Sequence, residues 1–119
     1  MAITMALLLL AAGSGSMLAW RHVARRGGAS LTIFGAIHAS LGIGGLIGLV
    51  LALQGPPRGV AMGAGMFGTI AAYLIAPALF VGLIVPFMRR GKGLMIAVHA
   101  GVAITGIVIF LAWAALGPS

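Results

Sequence analysis

The sequence predicts an all-α, polytopic membrane protein with four transmembrane helices in an up-down bundle. Composition, four long apolar runs and the placement of the charges predict this fold class. The 119 residues are 62% hydrophobic and only 6% charged, with a mean hydropathy of +1.25, whereas a soluble domain carries about 25% charged residues. Because so few polar side chains cannot cover a globule in water, we expect lipid to be the solvent for most of the chain.

The four apolar runs cover residues 2–20, 29–53, 60–88 and 94–116. Each is long enough to cross a hydrocarbon core of about 30 Å, which takes about 20 helical residues. Backbone groups in lipid must be satisfied within their own segment, so each run is predicted to be a helix. The first run resembles a signal peptide, but it lacks a basic start and is followed by Arg21, so we interpret it as a span. Pro77 and Pro86 are expected to bend the third helix.

Charge is confined to the links between these spans. The chain has seven Lys or Arg and no Asp or Glu. The first and third links hold six of the seven: Arg21, Arg25, Arg26, Arg89, Arg90 and Lys92. The positive-inside rule then places these links in the cytoplasm and both termini on the other side, as in a protein of the bacterial inner membrane. Because the cations occupy only short gaps, we interpret them as topology signals and expect no nucleic-acid partner.

Trp20 and Trp113 fall near span ends, where we expect them at the lipid–water interface.

The second and fourth spans contain the related stretches "GAIHASLGIGGLIG" (residues 35–48) and "IAVHAGVAITGIVI" (residues 96–109). Aligning their histidines, His38 with His99, pairs four identical positions: Ala36 with Ala97, Ala39 with Ala100, Ile43 with Ile104 and Gly45 with Gly106. We therefore expect two repeated helical hairpins, over residues 1–56 and 60–118. Parallel repeats are related by an axis along the membrane normal, so the histidines would lie at similar depths.

An ionisable residue inside a span indicates a functional site. Two neutral imidazoles on facing helices can bind the iron of a b-type haem from both faces, so His38 and His99 are the predicted metal ligands. Small residues on the same helix faces would leave a slot for the macrocycle: Gly35, Gly42 and Gly45 beside His38, and Ala103 and Gly106 beside His99. Cytoplasmic arginines are candidates to pair with the haem propionates: Arg25, Arg26, Arg89 and Arg90.

The same residues permit other hypotheses. Small residues let membrane helices approach closely, with a polar side chain hydrogen-bonding across the contact, and Gly44 and Gly48 form a GxxxG pair of this kind. The protein would then be a cofactor-free structural or assembly subunit. Alternatively, each histidine would bind its own chlorophyll-type pigment. Tyr73, the single tyrosine, is expected to pack and hydrogen-bond, with a quinone or haem contact as the alternative.

Four spans with one histidine in each of the second and fourth resemble the small membrane b-type cytochromes, the class of cytochrome b561-like proteins and haem-bearing anchors of respiratory dehydrogenases. The resemblance implies one bis-histidine haem and a non-catalytic electron-transfer subunit, with quinone or other membrane-protein subunits as donor and acceptor.

The residue types that the chain lacks exclude several other classes of protein. Without Cys there are no thiolates or clusters, and without Asp or Glu there is no acidic proton relay, no nucleophilic triad and no transporter glutamate.

Overall fold

The structure is a computed structural model that describes residues 1–24 and 30–117. Four long helices make up most of it: α1 (Ala2–Val23), α2 (Ser30–Leu53), α3 (Phe67–Ile84) and α4 (Lys92–Ala115). A short 3₁₀ turn, Val85–Phe87, extends α3. All four helices are long and apolar enough to cross a membrane. The predicted all-α fold with four helices of membrane length is therefore confirmed.

Successive helices run antiparallel and pack side by side. Along α2, Gly45 lies against Leu8 of α1, and Gly48, one turn later, lies against Thr4. In the described residues, helix contacts run α1–α2, α2–α3, α3–α4 and α4–α1, with the closest packing inside the two hairpins. The helices α2 and α4 that carry the paired histidines therefore occupy opposite corners of the bundle and start at the same end.

The buried core occupies the half of the bundle away from the basic links. Leu8, Leu49 and Phe110 are almost completely buried there, and Ile75 and Trp113 pack with them. Most other large apolar side chains point outward. A soluble bundle would turn a polar face outward, so this outer surface is suited to contact with lipid chains.

The third helix begins at Phe67, later than the predicted start near residue 60. Residues 54–66 instead form turns in which Gly59 and Gly63 have φ of 67° and 70°. Two backbone N–H groups, those of Met62 and Ala64, donate to the Gly59 carbonyl oxygen. Glycine adopts such positive φ values freely. An apolar run alone cannot distinguish these turns from a first helical turn, which explains the misplaced boundary.

The two prolines of the third span have different effects. Pro77 lies inside the continuous α3 helix. The α-helical geometry ends at Ile84, and Pro86 lies in the 3₁₀ turn that follows. Proline cannot donate to the carbonyl four residues earlier and crowds the residue before it, which favours the end of the α-helix at this point.

The two tryptophans are placed differently from each other. Trp20 is 68% exposed, as the interface prediction requires, whereas Trp113 is only 3% exposed. Trp113 lies against Gly68, where a Cβ atom would come within 2.8 Å of the indole Cε2. The interfacial prediction for Trp113 is therefore wrong: a glycine on α3 makes room for its indole inside the bundle.

Candidate functional site

His38 and His99 meet between opposite corners of the bundle. Their ring centroids are 5.9 Å apart and the ring planes are nearly perpendicular, at 84°. His38 is the ninth residue of α2 and His99 the eighth of α4, which places both roughly 10 to 12 Å from the start of their helices at a rise of 1.5 Å per residue. The structure thus brings together, at matching depths, the two histidines that the sequence analysis paired.

Each imidazole is held by a backbone carbonyl of the other helix of its own hairpin. His38 Nδ1 lies 3.0 Å from the Ala11 carbonyl oxygen on α1, and His99 Nδ1 lies 2.7 Å from the Ala78 carbonyl oxygen on α3. A carbonyl oxygen only accepts, so Nδ1 carries the proton and donates in both cases. Each neutral ring therefore has its unprotonated nitrogen at Nε2, where a lone pair remains.

A glycine four residues after each carbonyl makes room for the ring. A Cβ atom on Gly15 would lie 2.7 Å from His38 Cε1, and one on Gly82 would lie 2.6 Å from His99 Cε1. In an α-helix the carbonyl of residue i accepts the N–H of residue i+4, so each ring lies over one turn of the neighbouring helix. Any larger residue at either glycine would displace the imidazole.

The partners of the two histidines were not predicted from the sequence. Ala11 and Gly15 are separated by the same four residues as Ala78 and Gly82, so an Ala-x-x-x-Gly pattern occurs in both α1 and α3. This spacing is a usable signal once a histidine partner is sought. Among 20 glycines in a chain rich in alanine, it is too common to be selected by itself.

The small residues predicted to line a macrocycle slot have varied surroundings. Gly45 and Gly106 lie at the close contacts inside the hairpins, against Leu8 and Ile75 respectively. Gly42 faces Leu79 of α3 across an ordinary van der Waals distance, and nothing lies within 4 Å of a Cβ atom on Gly35. Ala103 is half-buried. Helix contact within the hairpins therefore occupies the space beside two of the five residues.

Two of the four arginines suggested for the propionates, Arg89 and Arg90, lie at the end of the bundle where α2 and α4 start. Arg89 and Arg90 are exposed in the turn before α4. Arg25 and Arg26 lie outside the described residues. Arg21, near the end of α1, places its guanidinium 5.3 Å from the ring centroid of Phe34 on α2, which is the geometry of a cation–π contact.

Tyr73 lies away from the histidine pair. It is 75% exposed and borders a groove of about 310 Å³ between α2 and α3, whose lining also includes Leu46, Val50, Leu53 and Thr69. Neither His38 nor His99 lines this groove. A contact between Tyr73 and a group held by both histidines is therefore not favoured by the geometry.

Within residues 1–24 and 30–117, no three His, Cys, Asp or Glu side chains gather into a metal-binding group. Among these residue types in the described part of the chain, no third side chain joins the His38 and His99 imidazoles. No protein-family profile, curated protein or solved structure matches this chain.

Proposed function

We propose that this protein spans a bacterial inner membrane as a non-catalytic subunit that holds one b-type haem between His38 and His99 and passes electrons within a larger membrane complex. The carrying observation is the meeting of two imidazoles from diagonal helices, 5.9 Å apart between ring centroids. The basic links face the cytoplasm in this proposal, and the termini face the other side.

The spacing of the rings would suit two imidazoles that hold one metal between them. Two metal–imidazole bonds of about 2 Å each, with roughly 1 Å from nitrogen to ring centre on either side, give about 6 Å between centroids. Perpendicular ring planes would not prevent His38 and His99 from holding one metal, because an imidazole can turn about its bond to the metal. Separate pigments would require the rings to point away from each other, so a shared ligand is the better proposal.

The donor set also suits haem better than a bare metal ion. Structural metal sites usually take four protein ligands, whereas a porphyrin supplies four nitrogens of its own, so His38 and His99 would be enough to hold it. Both imidazoles donate Nδ1–H to a carbonyl, the outer hydrogen bond that fixes the tautomer and orients a ligating histidine. When bound, the haem supplies reversible one-electron chemistry; the chain supplies ligation, orientation and an apolar surrounding.

Equivalent contacts in the two hairpins support the proposal that they are repeats. Gly45 and Gly106 each lie seven residues after their histidine, and each packs against a buried side chain, Leu8 or Ile75. Leu8 and Ile75 in turn lie three residues before the carbonyl that holds the ring. A two-fold axis along the bundle would relate the two imidazoles.

The electron donor and acceptor lie outside the histidine pair in this proposal, on other membrane-protein subunits or on a quinone. Arg89 and Arg90 provide positive charge at the cytoplasmic end for the propionates, together with Arg25 and Arg26. The resemblance to small b-type cytochromes supports the same role.

The test is an optical spectrum of the protein purified from haem-replete cells. We expect Soret and α bands of a six-coordinate haem b, which are lost on replacing either ligand, in His38→Gln or His99→Gln. The matched control is His22→Gln, because His22 is exposed at the end of α1 and outside the pair; it should keep the wild-type spectrum. A folded wild-type preparation without haem bands would contradict the proposal.

The second candidate is a cofactor-free structural subunit, which the packing of Gly45 and Gly106 against neighbouring helices favours. In that case the histidines act as hydrogen-bonding side chains between helices. It predicts that the variant with both histidines replaced by Gln assembles with its partners and leaves electron transfer unchanged. Loss of electron transfer in a fully assembled complex would contradict it.

A further inference from the structure

One polar side chain distinguishes the surroundings of the two histidines. The Ser14 hydroxyl oxygen lies 3.3 Å from His38 Nδ1. The same hydroxyl is 2.8 Å from the Leu10 carbonyl oxygen and 3.0 Å from that of Ala11. Ser14 lies three residues after Ala11, and the residue three after Ala78 is Val81, which has no polar side-chain atom. The hydrogen bonding of the two rings is therefore unequal.

The direction of the Ser14 dipole follows from these contacts. A hydroxyl has one proton, and the nearby carbonyl oxygens of Leu10 and Ala11 can only accept it. Because His38 Nδ1 already carries a proton, this nitrogen donates, and the Ser14 hydroxyl oxygen accepts the hydrogen bond. The Nδ1–H of His38 is thus shared between two acceptors, the Ala11 carbonyl oxygen and Ser14 Oγ.

We propose that Ser14 is a positioning residue that completes the hydrogen bonding of His38 and so sets the electron-donor strength of its Nε2 towards the iron. His99 makes a single bond of 2.7 Å, whereas the carbonyl bond of His38 is longer, 3.0 Å, and Ser14 adds a second acceptor. Acceptors on Nδ1–H raise the basicity of a ligating imidazole. The inference rests on the proposed haem between the two rings.

The sign of the effect follows from the charge on the iron. A more electron-rich imidazole stabilises ferric iron more than ferrous iron, and hydrogen bonding around the ligands is one of the means by which proteins set haem potentials. Removing the Ser14 acceptor therefore shifts the midpoint potential upward. Adding a hydroxyl beside His99, at Val81, shifts it downward.

The experiment is a redox titration of the purified, haem-loaded full chain, with ferric electron paramagnetic resonance spectra recorded on the same samples. Ser14→Ala should raise the midpoint potential and change the ferric g-values while the optical spectrum remains that of a six-coordinate haem. Ser14→Thr, which keeps the hydroxyl, should retain the wild-type potential. Val81→Ser, which places a hydroxyl three residues after the Ala78 carbonyl, should lower the potential.

The control is Ser16→Ala on the same helix. The Ser16 hydroxyl is exposed and donates to the Ala12 carbonyl oxygen rather than to a histidine ring, so its loss should leave the potential unchanged. A haem-loaded Ser14→Ala protein with the wild-type potential, or with a lower one, overturns the role of Ser14 alone. A folded wild-type protein without haem bands overturns the haem proposal, and the Ser14 inference with it.

Discussion

At the scale of single residues, the histidine pair depends on atoms that are not themselves histidine. The Ala11 and Ala78 carbonyl oxygens fix which ring nitrogen carries the proton. Gly15 and Gly82 allow the rings to approach the neighbouring helix closely enough to reach those carbonyls. The position of each imidazole therefore depends on one alanine carbonyl and one glycine of the neighbouring helix.

Replacing Gly15 by Ala should destabilise the protein. The new Cβ atom would lie 2.7 Å from His38 Cε1 and 3.2 Å from Nδ1, so the ring must move away from the Ala11 carbonyl. Overpacking of this kind costs about 1–3 kcal/mol. The free energy of unfolding, measured by titration with a denaturing detergent, should fall by that amount.

Gly13 is the matched control on the same helix, because nothing lies within 4 Å of a Cβ atom there. Gly13→Ala should leave the protein equally stable or stabilise it by up to about 1 kcal/mol, since Ala is the better helix former. Equal losses of stability in both variants would contradict the contact between Gly15 and His38.

At the scale of helices, each hairpin is held by close packing of backbone against side chain. The buried side chain of Leu8 packs against Gly45, and the buried side chain of Ile75 packs against Gly106. Hydroxyls on these helices, such as those of Ser40 and Thr105, donate to the carbonyl four residues earlier and so need no partner in lipid. The packing within each hairpin is therefore almost entirely apolar.

Gly45→Ala should lower the thermal midpoint of unfolding in detergent micelles. The added Cβ atom would come within 2.5 Å of Leu8 Cδ2, and Leu8 is only 1% exposed, so its side chain has little space to move. We expect a loss of about 1–3 kcal/mol in the free energy of unfolding.

Gly35→Ala, on the same helix, serves as the comparison because its Cβ atom would meet nothing within 4 Å. Its midpoint should not fall. If Gly35→Ala proved as damaging as Gly45→Ala, contacts inside the hairpin would not be the source of stability.

At the scale of the whole molecule, apolar side chains face outward along the bundle and the cations gather at one end. The longest dimension is 48 Å, comparable to a bilayer of about 40–45 Å with its headgroups. The described cations at the basic end, among them Arg21, Arg89 and Lys92, flank the starts of α2 and α4. Because the chain has no acidic side chain, nothing within it neutralises this end.

This charge distribution predicts the orientation in the membrane, and the absence of cysteine from the chain makes labelling simple. Met62→Cys, in the exposed loop between α2 and α3, should react with an impermeant maleimide added to intact spheroplasts. Gly93→Cys, exposed at the start of α4, should react only after the membrane is opened. The opposite pattern would reverse the proposed topology.

The histidine pair shows how much of the candidate site could be predicted from the sequence. Matching stretches and similar depths were enough to predict that His38 and His99 lie close together. Of the predicted GxxxG pair, Gly48 lies close against Thr4, whereas a Cβ atom on Gly44 would meet Leu7 only at an ordinary van der Waals distance. The start of α3 and the position of Trp113 could not be predicted. The inner and outer faces of these helices are almost equally apolar, so no polar stripe shows which way a side chain turns.

The sequence by itself determined the number of membrane-length helices, the basic end and the pairing of the histidines, because apolar length and charge placement are properties of the chain that need no partner. Only the tertiary structure decided that the rings meet 5.9 Å apart, that the Ala11 and Ala78 carbonyl oxygens lie at their Nδ1 atoms, and that the Ser14 hydroxyl lies beside the His38 ring. These features depend on the relative rotation and register of helices. Packing between apolar surfaces sets both, and hydropathy does not encode them.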